Sequence, residues 1–82
     1  MSRDDILGGV REVLRAHCEV DRPVDASTEI AADLELDSLK QLTLVVELEN
    51  RFEICFEPGD EQGVVTIGDV VDLVQRTLTA ET

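Results

Sequence analysis

The 82-residue chain has no tryptophan, no tyrosine and only two phenylalanines, so its core must be aliphatic, built from Val, Leu and Ile. It is also poor in positive charge, with seven Lys and Arg against nineteen Asp and Glu and a net charge of −12. That balance argues against nucleic acid or an anionic membrane as partner and favours docking to basic patches on proteins. No stretch approaches the roughly 20 apolar residues of a membrane span. The N-terminus, with Asp4 and Asp5 and only a short apolar patch, does not read as a signal peptide. One histidine, His17, and two widely separated cysteines, Cys18 and Cys55, fall short of a zinc site in number and spacing. Both cysteines are expected to be reduced and partly buried, in a cytoplasmic protein. There is no glycine-rich phosphate cradle, no calcium-loop order and no G-x-S-x-G motif, and His17 alone cannot furnish a credible triad. No catalytic residue and no metal ligand is assigned.

What is present is helical periodicity. A hydrophobic content of 43% suffices for one small domain, residues 1–82, near the size at which a single core gives only modest stability. Residues 2–17 read as a first helix, with Ile6, Val10, Val13 and Leu14 on one face, Leu7 beside them, and Ser2 with Asp5 as a capping box. Gly8 and Gly9 weaken that helix by about 1 kcal/mol each relative to Ala, which a close helix crossing would explain. Residues 18–37 form a long, acidic connection with a turn at Pro23. Its apolar anchors, Val24, Ile30, Leu34 and Leu36, predict a segment draped over the core, with room for a single helical turn around residues 28–33.

The second helix runs from Ser38 to about Arg51. Leu44, Val45, Leu48 and Phe52 fall in one apolar arc, and Leu39, Leu42 and Val46 in another. The polar face between them is narrow, with Glu47 and Arg51 in the favourable i, i+4 order. A span this wide means burial between two neighbours, or one buried arc and one facing a partner. Exposure is expected for Leu39; for Leu42 and Val46 the periodicity leaves both readings open. In the second connection, residues 53–65, Ile54 and Phe56 are anchors, Pro58-Gly59 a turn, and Asp60-Glu61-Gln62 a brief helix that Gly63 ends. Thr66 caps a final helix with Asp69 as its box partner. Ile67, Val70, Val71, Val74 and Leu78 carry that helix to about residue 78, after which the chain is expected to fray. The fold class is all-α: a bundle of three main helices plus a short fourth, with a long first connection.

One segment bears on function. Asp33-Leu34-Glu35-Leu36-Asp37-Ser38-Leu39 sets a serine at the start of the second helix, behind an acidic loop. A helix start leaves backbone N–H groups unpaired and carries partial positive charge, so a phosphodiester is well tolerated there. The plain structural alternative is that Ser38, or Asp37 beside it, is an N-cap.

The D-L-x-x-D-S-L context, the helix that follows, the length and the acidity together resemble the acyl carrier protein family over nearly the whole chain. The resemblance implies a 4′-phosphopantetheine arm on Ser38, moved from coenzyme A by a phosphopantetheinyl transferase that uses Mg²⁺. It implies a single carrier domain that is a scaffold, not an enzyme, holding acyl groups as thioesters for fatty-acid, polyketide or related specialised lipid biosynthesis. The implied partners are that transferase and acyl-loading and acyl-processing enzymes with basic docking patches. Asp37, Leu39, Leu42, Val46 and Glu49 would meet them, the chain acting as a cytoplasmic monomer. Three positions depart from the pattern of fatty-acid-synthesis carriers: Glu35 stands where Gly is common, and Lys40 and Thr43 where acids are common. The second helix thereby loses its usual acidity, which points to a specialised carrier. A peptidyl or aryl carrier, or an unmodified helical adaptor using the Leu39 arc, are the alternative readings.

Overall fold

The computed structural model describes residues 2–80, apart from the side chain of Glu61. Three α-helices follow from the three periodic segments: α1 (Arg3–His17), α2 (Ser38–Phe52) and α3 (Ile67–Ala80). The core is aliphatic, with Ile6, Val10 and Leu14 of α1, Leu48 of α2, and Ile67 and Val74 of α3 almost wholly removed from solvent. α1 packs against both other helices, whereas α2 and α3 meet only sparsely.

α1 starts as expected, with the Ser2 hydroxyl accepting from the Asp5 N–H at 3.1 Å. Its two glycines have different fates. A Cβ on Gly9 would lie 2.6 Å from Cζ of Phe52, so Gly9 is where the end of α2 crosses α1 closely. Gly8 faces open space, and nothing in the structure explains it.

The long first connection is draped over the core by Val24, Ile30 and Leu36, all buried, with Leu34 half-buried. It is held by backbone bonds rather than by anchors alone. Ile30 N–H donates to the Val65 carbonyl at 2.9 Å, and Ile67 N–H to Thr28 at 2.8 Å, around an antiparallel bridge between Glu29 and Thr66. Gly68 N–H donates to Ala26 at 2.9 Å. The connection thus satisfies two of the N–H groups that the first turn of α3 cannot satisfy itself. The Thr66 hydroxyl takes a third, from Asp69 at 3.2 Å, while the Asp69 carboxylate accepts from Thr66 and Val65 N–H at 3.1 and 3.0 Å. These two backbone donors hold the Asp69 carboxyl below the ordinary aspartate range. Arg11 adds a further clamp, donating twice to the Val24 carbonyl at 3.0 and 2.8 Å.

Several expectations change in detail. Around residues 28–33 the chain makes a turn, closed by Asp33 N–H on the Glu29 carbonyl at 3.0 Å, but no helix. The short fourth helix is reduced to a 3₁₀ turn, Asp60–Gly63. It follows a tight turn in which Gly59 has φ +92°, the left-handed second position that Pro-Gly sequences supply. α3 runs two residues past the expected end, and the expected fraying at Glu81 and Thr82 lies outside the described residues. Cys18 is buried, but Cys55 is exposed because its neighbours Ile54 and Phe56 take the inward positions. Among the described residues Glu47 and Arg51 do not pair with each other. Both reach across to α1, where Arg51 meets Glu12 at 2.5 Å and Glu47 meets His17 at 3.3 Å, because the solvent edges of the two packed helices face each other.

A Cβ at Gly68 would fall 2.9 Å from the Ala26 carbonyl oxygen, which itself accepts the Gly68 N–H, so neither group is free to give way. Gly68→Ala is therefore expected to destabilise by about 1–3 kcal/mol. Gly8→Ala, with space around it, is expected to stabilise by about 0.5–1 kcal/mol. Urea denaturation of the two variants checks both signs, and a shift in the same direction for both would contradict the packing described.

Candidate functional site

The start of α2 is built by Asp37, not by Ser38. Asp37 has extended backbone angles, its carboxylate accepts the Lys40 N–H at 2.9 Å, and its carbonyl accepts Gln41 N–H at 2.9 Å. It is the N-cap, with the geometry that short acidic side chains favour. Ser38 is consequently released from capping. It is the first helical residue, it is exposed, and among the described residues its hydroxyl has no partner. The other two serines are committed: Ser2 caps α1, and the Ser27 hydroxyl donates to Asp25 at 2.6 Å. Asp25 also accepts the Ser27 N–H at 2.9 Å, and these bonds hold its carboxyl below the usual range.

No acid lies in the first turn of α2 itself, and the anion set against the positive end of the helix is the Asp37 carboxylate of the cap. The acids just before it are partly occupied. The Asp33 carboxylate accepts the Glu29 N–H at 2.8 Å, and the Asp33 carbonyl accepts from Arg22. Glu35 has φ +54°, which is why glycine suits this position in the family the chain resembles. A side chain there costs about 1 kcal/mol or more. Lys40 forms an ion pair with Glu19 at 3.1 Å, tying the start of α2 to the exit of α1. Beneath it, the Cys18 thiol donates to the Lys40 carbonyl at 3.6 Å, and burial pushes that thiol up from its ordinary range.

Ser38 stands between two apolar features. Along one side of α2, Leu39, Leu42 and Val46 are 71%, 60% and 44% exposed, while Leu44 and Leu48 point into the core. The alternatives left open for Leu42 and Val46 are thereby resolved in favour of exposure. On the other side a cleft of about 430 Å³ runs between α2 and α3. Ser38 and Gln41 stand at one end of it, and Glu49, Phe56 and Pro58 line it further along. Its walls are mainly apolar, from Leu42, Leu44, Val45 and Leu48 of α2 and Val70 and Leu73 of α3, so Leu42 belongs both to the exposed arc and to the rim of the cleft. This is the composition of a pocket that takes an apolar ligand with a few polar groups at its edge.

Glu49 lies two turns beyond Leu42 on the same side of α2, where the exposed arc borders the cleft. It is half-buried, and its Oε2 accepts the Phe56 N–H at 2.9 Å, so one carboxylate oxygen serves the fold. His17 is exposed with its imidazole on Glu47, more than two turns along α2 from Ser38, and among the described residues there is no Ser–His pair. Among the described residues no cluster of His, Cys, Asp and Glu could hold a metal ion. The periodicity missed Leu73, which is buried and lines the cleft; its i+3 spacing from Val70 was the available signal. The cleft itself had no signal in the sequence.

A family model described as the phosphopantetheine attachment site matches residues 4–74. Among curated proteins, the acyl carrier protein of Exiguobacterium sp. (strain AT1b) is 32% identical over 79 residues, covering 95% of this chain and 100% of that protein. The acyl carrier protein of Kineococcus radiotolerans is 31% identical over 78 residues, covering 92% of this chain and 94% of its own length. A solved structure of a candidate acyl carrier protein from Mycobacterium tuberculosis superposes with a TM-score of 0.68 at 30% identity, covering 98% of this chain and 97% of that one.

The two arcs of α2 predict different responses to truncation. Leu48→Ala is expected to destabilise by about 2–5 kcal/mol, as loss of a buried side chain does. Leu39→Ala is expected to stay within about 0.5 kcal/mol of the parent. Denaturant titration compares them, and equal losses would refute the division of α2 into a core arc and an outward arc.

Proposed function

The chain belongs to the acyl carrier protein family, and from that membership we propose that Ser38 is the residue that bears the 4′-phosphopantetheine arm. The single observation that carries the assignment is the division of labour at the start of α2. Asp37 caps the helix and leaves the Ser38 hydroxyl, alone among the three serines, exposed and uncommitted. The residues around it fit such a group. The Ser38 and Leu39 N–H groups lie in the unsatisfied first turn, the positive end of the helix is there, and no acid of that turn repels a phosphodiester. When bound, the arm supplies a terminal thiol that carries an acyl group as a thioester.

The rest of the site gives the cargo and the partners their surfaces. The cleft between α2 and α3 begins beside Ser38 and shelters an aliphatic chain. Its apolar walls suit such a chain better than an aminoacyl group, whose ammonium would lack partners among them. Leu39, Leu42 and Val46 form the face that partner enzymes read, with Asp37 at its head. Glu49 contributes to that face through Oε1 alone, since Oε2 is taken by Phe56. The partners are a phosphopantetheinyl transferase and the enzymes that load and process the acyl group. The chain supplies scaffold and recognition rather than catalysis, as one carrier domain and as a cytoplasmic monomer. Among the described residues no helix is long and apolar enough to cross a membrane.

Lys40 marks the carrier as specialised. It places a cation in the first turn of α2, anchored by Glu19, where a basic docking patch would approach. Like charges brought together at an interface are penalised, so Lys40 discriminates against general fatty-acid-synthesis enzymes.

Incubation with coenzyme A and a transferase should add roughly 340 Da to the parent protein, as the formula of the arm requires, and nothing to Ser38→Ala. The variant should keep its fold because the Asp37 cap remains. Mass gain that persists in the variant, at Ser2 or Ser27, would refute the assignment. A parent protein that is never modified would favour the adaptor reading.

Lys40→Glu should raise turnover of the loaded carrier by a fatty-acid-synthesis enzyme a few-fold at low salt. The gain should shrink as salt rises, because exposed charges are screened. Turnover that is unchanged across a salt series would show Lys40 to be a surface residue without a role in partner choice.

A further inference from the structure

The cleft is open because α2 and α3 barely touch, so its width depends on what spans them. The span is the second connection. Its first part, Phe56–Pro58, forms a lip that lines the cleft at the end remote from Ser38. Ser38 and Glu49 both line the cleft, and their places on α2 put them about 16 Å apart along the helix axis.

The hold on that lip is concentrated in one residue. The Glu49 carbonyl accepts the N–H groups of Glu53 and Ile54, which ends α2 and turns buried Ile54 into the core. The Glu49 carboxylate then accepts the Phe56 N–H at 2.9 Å. Among the described residues this is the only hydrogen bond between the lip and α2. The lip's far side is fixed within its own turn, where the Asp60 carboxylate accepts Glu57 N–H at 2.9 Å and Asp60 N–H donates to the Glu57 carbonyl at 3.0 Å. Gly59, at φ +92°, lies between those two residues and gives the turn its left-handed corner. A carboxylate bonded to backbone N–H is among the stronger protein hydrogen bonds, and it also satisfies a half-buried charge.

We infer that Glu49 is a positioning residue: by latching Phe56 across the far end of the cleft, it sets the longest acyl chain that the carrier can shield. The inference rests on the reading of Ser38 and the cleft given above. A short chain ends among Leu44, Val45 and Leu48 and leaves the latch alone. A long chain reaches Glu49 and Phe56, where it must either break the bond, leaving the carboxylate against hydrocarbon, or leave its own end in water. The latch acts through Phe56 and touches no reacting atom.

The test uses the full chain, carrying acetyl, octanoyl or hexadecanoyl thioesters on its arm, and follows cleavage of the thioester by hydroxylamine. In the parent, octanoyl should be cleaved several-fold more slowly than acetyl, and hexadecanoyl should lose much of that protection. Glu49→Ala, and Glu49→Asp whose carboxylate is one methylene too short, should restore several-fold protection to hexadecanoyl and leave acetyl unchanged. Glu49→Gln keeps an accepting oxygen at the same reach and should retain the parent's profile. A general loss of folding in one variant would show as faster cleavage of every chain, and a thermal melt of each unloaded variant identifies it. The Asp and Gln variants then carry the comparison. A hexadecanoyl-to-octanoyl ratio in Glu49→Asp equal to the parent's, or a Gln variant that shifts as far as Asp, would overturn the latch. Failure of the underlying reading looks different: no loading at Ser38 refutes the attachment site, and one cleavage rate for all chains in the parent refutes the cleft, taking the latch with it.

Discussion

The structure hangs on the backbone stitch between the first connection and the start of α3. Three bonds, Ile30 to Val65, Ile67 to Thr28 and Gly68 to Ala26, lie within a segment that would otherwise be a long loop over an aliphatic core. Buried backbone groups must find partners, and here the loop and the helix start satisfy one another. The stitch lets Ile30 sit in the core and line the cleft, and it fixes where the loop leaves toward Asp37. With no Trp or Tyr and only two Phe to fill space, placement of such anchors decides whether a small domain closes.

The acidity of the chain is in part structural. Asp37, Asp69, Asp33, Asp25, Asp60 and Glu49 each direct a carboxylate oxygen at backbone N–H groups. Such bonds need no cation, which suits a chain with only seven basic residues. The pairs that bridge helices on the surface, Arg3 with Asp72 and Arg51 with Glu12, are exposed and contribute little by comparison. The same economy makes Ser38 available, because an acid has taken the capping role.

Three glutamates, Glu19, Glu35 and Glu53, occupy left-handed positions where glycine is the easiest choice. Glu19 and Glu53 follow α1 and α2, and Glu35 follows the turn closed on Glu29. Glu19 and Glu53 also set a negative charge where a helix dipole is negative, so these two exits are stabilised by their surroundings and not by local preference, whereas Glu35 precedes the positive end of α2. Only for Glu19 does a charged partner explain the residue, through Lys40.

What the sequence determined by itself is what depends on neighbours close along the chain. Three helices, the Thr66–Asp69 box, the Pro58-Gly59 turn and the anchors of the first connection are matters of period and capping, and they are all where the residues place them. So is the position of Ser38 behind Asp37, since a helix start is a local event. Periodicity assigns residues to a face but does not say what that face meets. Only the tertiary arrangement decided that Leu42 and Val46 look outward, that Gly9 and not Gly8 is the crossing point, and that Glu47 and Arg51 reach α1 rather than each other. The cleft and the Glu49 latch belong to the same class, because a void is a property of the spacing between elements, and no single segment encodes how far apart two helices will stand.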